Sequence, residues 1–187
     1  KEKKTQGIIA DHAMVVSARK EASAIGVEIL KKGGNAYDAM VATQFALAVV
    51  YPVAGNIGGG GFMVYRNSEG AKGAIDFREK APKAASRDMY LDENGEVIKN
   101  KSRIGANAVG IPGTVAGVFE IHQKFGSLPM SQLIQPAIDL ARNGFLVTEK
   151  QASSLNNAVP NFKKVNTYPT LFEKTWKAGD TLKQVDL

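Results

Sequence analysis

The chain has 187 residues, 44% of them apolar, no cysteine and a formal net charge of +6. That suits one domain able to bury on the order of 70% of its unfolded surface. It sets aside disorder, disulfides, thiol catalysis and cysteine-ligated metal. The basic residues are scattered beyond Lys1, Lys3 and Lys4 and no aromatic residues alternate with them, so a solvated basic surface is expected and nucleic acid is not.

No apolar run is long enough to span a bilayer, so no transmembrane segment is expected. The chain opens without a signal-peptide pattern and stops just after Gly179-Asp180, as a trimmed polypeptide would.

Ile8–Ala10 and Met14–Ser17 read as short β-like runs. Ala22, Ile25, Gly26 and Ile29 then recur at helical spacing, predicting a helix from about Lys20 to Lys32 that Gly33-Gly34 stops. Asn35 can cap the next helix, with Asp38 three positions on. Ala36–Tyr51 follows with apolar residues on nearly every side, which places it at the centre of the core.

Four glycines, Gly58–Gly61, run into Phe62–Tyr65, where both alternating faces are apolar, as in a strand covered on both sides. Asn67–Gly70 is turn-like, so Gly73–Arg78 predicts the second strand of a hairpin. Ile75 and Phe77 then point one way, Asp76 and Arg78 the other.

Glu79–Asp88 reads as an extended loop, and Asp92–Gly95 as a turn that lacks the ligand spacing of a calcium loop. Pro112 can open a helix whose stripe is Val115, Val118, Phe119 and His122, ending at Gly126. Met130–Ile134 predicts one short turn, and Pro136 the start of a second helix to about Asn143, stopped by Gly144. Thr148 with Gln151 resembles a capping box for a helix ending at Pro160, and Trp176 is expected to anchor the loop-rich remainder.

The glycine run invites a phosphate-cradle reading, but that cradle needs strand, glycine turn and helix in order, whereas here a helix precedes and a strand follows. Arg78 is the sharper candidate, because a guanidinium can grip a carboxylate through two charge-assisted hydrogen bonds. The competing reading is an ion pair with Asp76 or Glu79, the commoner fate of an arginine. His12 and His122 have no metal-ligand spacing, and His122 reads as a satisfied boundary histidine. The residues alone lead to a mixed α and β domain with one candidate anion site.

At GGNAYDAMVATQFALAVVYPVAGNIGGGGFMVY, then AIDFREKAP, then GIPGTVAGV, the chain resembles the large subunit of γ-glutamyltransferase (γ-glutamyl transpeptidase). The resemblance extends from about Asp11 to Leu187. It implies an α+β fold, part of the N-terminal nucleophile hydrolase αββα sandwich. Residues 1–187 would be one incomplete domain, the N-terminal portion of the large subunit.

The implied activity is cleavage of the γ-glutamyl amide of glutathione or a related donor. A threonine freed by self-cleavage, absent from this chain, forms an acyl-enzyme that passes the group to water, an amino acid or a peptide. The match puts the family's carboxylate-binding arginine on Arg78 and places Asn56–Gly61 beneath the active site in an architectural role. It implies no cofactor and no metal, with the small catalytic subunit and the rest of the large subunit as partners. A periplasmic or secreted location is also implied.

Faces of Ala36–Tyr51 or of the hairpin are expected to be exposed unless further chain covers them. Two alternatives stay open. One is a relative acting on poly-γ-glutamate or a cephalosporin-type acyl group; the other is a non-catalytic binding fragment.

Overall fold

Helix α2 (Ala36–Val50) is the axis of the fold, since a helix that is apolar on all sides is stable only when surrounded. Ten of its 15 residues are buried in the computed structural model, which describes residues 7–187. Helix α1 (Lys20–Lys31) packs along it through Ala22, Gly26 and Ile29. Helix α4 (Met130–Asn143) contributes Leu133, Ala137 and Ala141 on another side, and α3 (Thr114–Phe125) makes a lighter contact. Burying a leucine such as Leu133 contributes about 1.5–3 kcal/mol, so these stripes outweigh any local preference.

Both ends of α2 are tied to distant chain. At its start, the Asn35 side chain accepts from the Tyr37 and Asp38 N–H groups, and the Asp38 carboxylate accepts from the Asn35 N–H at 2.9 Å. Asp38 also accepts from the N–H and hydroxyl of Ser127 and from the Leu128 N–H, fixing the α3–α4 connection. Burial opposes ionisation of Asp38, but the Ser127 hydroxyl and the three backbone donors outweigh it and hold the carboxyl below its ordinary range. At the other end, Gln184 and Gln151 donate to the Val49 and Val50 carbonyls at 2.6 and 2.9 Å, satisfying groups that a helix C-terminus leaves without partners.

Strands β1 (Phe62–Arg66) and β2 (Lys72–Asp76) form an antiparallel hairpin with Phe62 opposite Asp76 and Arg66 opposite Lys72. A second ribbon pairs β3 (Phe145–Leu146) with β4 (Thr181–Leu182). Helix α5 (Glu149–Val165) starts at the expected Thr148–Gln151 capping box. Trp176 is buried, and its N–H and carbonyl are both held by the Asn156 side chain. No helix among the described residues is long and apolar enough to cross a membrane.

Five local expectations need correction. The β-like runs at Ile8–Ala10 and Met14–Ser17 are not strands. Helix α4 runs unbroken through Pro136, because Leu133, Ala137 and Ala141 continue one buried stripe across it, and α5 passes Pro160. The hairpin is covered on one face only: Met63, Tyr65 and Ile75 are partly buried, while Phe62 and Val64 are 63% and 83% exposed. The two apolar faces of β1 therefore do not make it an enclosed strand. Helix α3 buries Thr114, Gly117, Val118 and Ile121 instead of the stripe with Val115 and Phe119, which are partly exposed.

Candidate functional site

The glycine loop is built to meet the start of α3. The residue before that helix, Gly113, has no side chain to cap it, and the Gly59 carbonyl takes over by accepting from the Gly113 and Thr114 N–H groups at 2.8 and 3.0 Å. Asn56 Oδ1 accepts from the Gly59 N–H at 2.8 Å and from the buried Thr114 hydroxyl at 2.6 Å. These N–H groups are thus used by the protein itself. Within the glycine run the Gly59 N–H is committed to Asn56 and the Gly61 N–H to the Phe77 carbonyl, so the phosphate-cradle reading, already disfavoured by element order, loses two of its four donors.

Phe77 lies between the two joined segments. Its N–H donates to the Gly61 carbonyl at 3.0 Å, carrying the hairpin pairing past β2. A β-carbon on Gly61 would stand 2.8 Å from the Phe77 ring and one on Gly60 2.7 Å from the Phe77 carbonyl oxygen. At Gly113 and Gly117 it would overlap Phe77 outright. Glycine is needed at these positions for close approach, not for unusual dihedral angles.

Arg78 follows this clamped residue. Its N–H donates to Asp76 Oδ1 at 2.9 Å, and two residues on Lys80 and Ile111 exchange backbone hydrogen bonds of 3.1 and 2.8 Å. The chain is therefore fixed on both sides of Arg78. Its side chain is 62% exposed, with Nε 3.5 Å from Glu79 Oε2 and Cζ 5.5 Å from the Phe62 ring centroid.

Of the two ion-pair partners foreseen for Arg78, Asp76 binds its backbone and only Glu79 meets the guanidinium. The Arg78–Glu79 contact is long and single, and exposed pairs contribute only about 0–1 kcal/mol. The two terminal nitrogens make no hydrogen bond within the described residues. Arg78 lines an open cleft together with Asp76, Glu79, Lys80, Ile111 and Pro112, an arrangement that can receive a carboxylate on a two-pronged donor.

His122 is a boundary histidine as expected, its Nε2 2.7 Å from the Leu128 carbonyl oxygen. His12 is exposed and joins no site. Asp92 Oδ1 accepts from the Asn94 and Glu96 N–H groups, so the acidic turn uses its carboxylate to hold its own backbone. The links from Asn56 to Thr114 and from Gly117 to Phe77 escaped sequence reasoning. The signal available was Gly113 and Gly117, four residues apart and so on one helical face.

The family profile described as gamma-glutamyltranspeptidase matches residues 22–187. A glutathione hydrolase proenzyme from Pseudomonas sp. (strain A14) is 48% identical over 182 residues, covering 95% of this chain and 32% of the relative. The crystal structure of Helicobacter pylori gamma-glutamyltranspeptidase superposes with a TM-score of 0.91 at 43% identity, covering 97% of this chain and 53% of that one. Gamma-glutamyltranspeptidase from Pseudomonas nitroreducens, solved with L-DON, gives 0.88 at 47% identity over 95% of this chain and 52% of that one. The chain spans about a third of the length of the curated relatives that it matches.

Proposed function

The chain belongs to the γ-glutamyltranspeptidase family, and we propose that it is the N-terminal portion of the large subunit of an enzyme that cleaves γ-glutamyl amides such as glutathione. Its fold is α+β, part of an N-terminal nucleophile hydrolase. The observation that carries the site reading is Arg78, fixed in backbone, uncommitted at its terminal nitrogens among the described residues, and lining an open cleft.

In this reading Arg78 grips the α-carboxylate of the γ-glutamyl group, and the short saturated span of that group carries its γ-carbonyl to the nucleophile. A threonine supplied by the small subunit attacks the carbon of that γ-carbonyl, giving its hydroxyl proton to its own α-amino group. The C–N bond breaks, and the leaving amine takes the proton. Water or an amine then attacks the ester and releases the γ-glutamyl group. The contribution of this chain is alignment, which accelerates reaction by holding the acyl group in an attackable pose.

The exposed Phe62 and Val64 face of the hairpin would be covered by the rest of the large subunit and the small subunit. Such an enzyme would act in the periplasm or outside the cell. The test is Arg78→Ala in the full-length processed protein with a γ-glutamyl anilide. A rise in donor KM of about a hundredfold, roughly 2.7 kcal/mol and within the range of a single charge-assisted bond, is expected. An unchanged KM and turnover would remove Arg78 from the site.

A further inference from the structure

We propose that Asn56 and Thr114 are positioning residues that aim Arg78 at the donor carboxylate, an inference that rests on the carboxylate reading of Arg78. Among the described residues the guanidinium has little to hold it: one contact of 3.5 Å to Glu79 and a loose approach to the Phe62 ring. The backbone therefore sets the anchor from which the side chain reaches the donor. A bidentate site tolerates only about 10–20° of misdirection.

On one side that backbone is held through Phe77, which pairs with Gly61 and is pressed between the glycine loop and the start of α3. Three bonds join them. Thr114 Oγ1 donates to Asn56 Oδ1, and the Gly113 and Thr114 N–H groups converge on the Gly59 carbonyl. Asn56 Oδ1 also accepts the Gly59 N–H, so one side-chain oxygen sets both the shape of the loop and its attachment to α3. Gly60 and Gly61 on one segment, and Gly113 and Gly117 on the other, press against Phe77 with no side chain between. Neither Asn56 nor Thr114 lines the cleft, so loosening their bond reaches it only through Phe77, Gly113 and Gly117, which do.

Thr114 is buried, and Thr114→Val keeps its shape while removing the donor. In the full-length processed enzyme, Thr114→Val should raise the KM of a γ-glutamyl anilide about tenfold and change kcat less than about twofold, while Thr114→Ser stays near wild type. With 4-aminobutanoyl anilide, which lacks the α-carboxylate, wild type and Thr114→Val should react alike. In an Arg78→Ala background, Thr114→Val should add less than about twofold, the coupling expected of residues acting as one unit.

Asn56→Leu, at the less buried end of the bond, should repeat the KM rise and serves if Thr114→Val fails to mature. A KM unchanged in both variants, or an equal loss with and without Arg78, overturns the proposal. If Arg78→Ala raises KM while Thr114→Val does not, the positioning role alone falls. If Arg78→Ala leaves KM unchanged, the carboxylate reading falls and takes this inference with it.

Discussion

The ring of Phe77 occupies the space where a side chain on Gly117 would stand, so that a β-carbon there would overlap the ring. Gly117 lies in the interior of α3, where glycine costs about 1 kcal/mol relative to alanine in helix propensity. The close approach requires it all the same. Gly117→Ala should destabilise the protein by about 1–3 kcal/mol through overpacking, in spite of the better propensity. Thermal unfolding of the full-length variant checks the sign, and a higher Tm than wild type would refute the contact.

Asp38 predicts a pH dependence. Its folded carboxyl sits below the ordinary range because the Ser127 hydroxyl and the Asn35, Ser127 and Leu128 N–H groups outweigh the opposing effect of burial. A depressed folded pKa stabilises the fold fully above the unfolded value of about 3.9 and loses that contribution as pH falls through the folded value. Asp38→Asn should therefore be less stable than wild type at pH 7, by about 2–3 kcal/mol, with the gap narrowing as the pH drops toward the folded pKa. Denaturant titrations over that range measure it. A constant gap would mean that the charge plays no part.

Helix α2 was legible because its apolar residues recur on every side, a pattern with one physical solution, and its cap at Asn35 and Asp38 follows local chemistry. Arg78 was legible as an isolated cation after the hairpin; β2 stops at Asp76, two residues short of the expected Arg78, while the alternation of exposure continues through half-buried Phe77 to exposed Arg78. The proline errors have a common cause. Pro136 and Pro160 obey local rules that disfavour helix, whereas the packing of Leu133, Ala137 and Ala141, and the hold of Asn156 on Trp176, are tertiary facts. Likewise, the apolar outer residues Phe62 and Val64 announce burial without saying what buries them. The clamp around Phe77 joins positions that local periodicity cannot relate.

Gln184 gives a third prediction. It is buried, and its amide donates at 2.6 Å to the Val49 carbonyl, 135 residues away in sequence. Gln184→Leu has similar bulk but leaves that carbonyl without its partner at the end of the central helix. The expected loss is about 1–3 kcal/mol, the cost of an unsatisfied buried acceptor. The unfolding midpoint in urea should fall with an unchanged m-value, and an unshifted midpoint would show that α2 needs no distant cap.

Arg78→Lys separates charge from geometry. Lysine keeps the cation but loses the planar fork and the loose approach of the guanidinium to the Phe62 ring. If the donor carboxylate is held bidentately, the KM of the lysine variant should lie between wild type and Arg78→Ala, roughly tenfold above wild type, or about 1.4 kcal/mol. Its KM should also climb more steeply with salt than that of wild type, because a single flexible ammonium relies more on long-range attraction than on two directed bonds. A lysine enzyme with wild-type KM at every ionic strength would show that positive charge alone suffices. The fixed backbone around Phe77 would then serve the fold and not the grip.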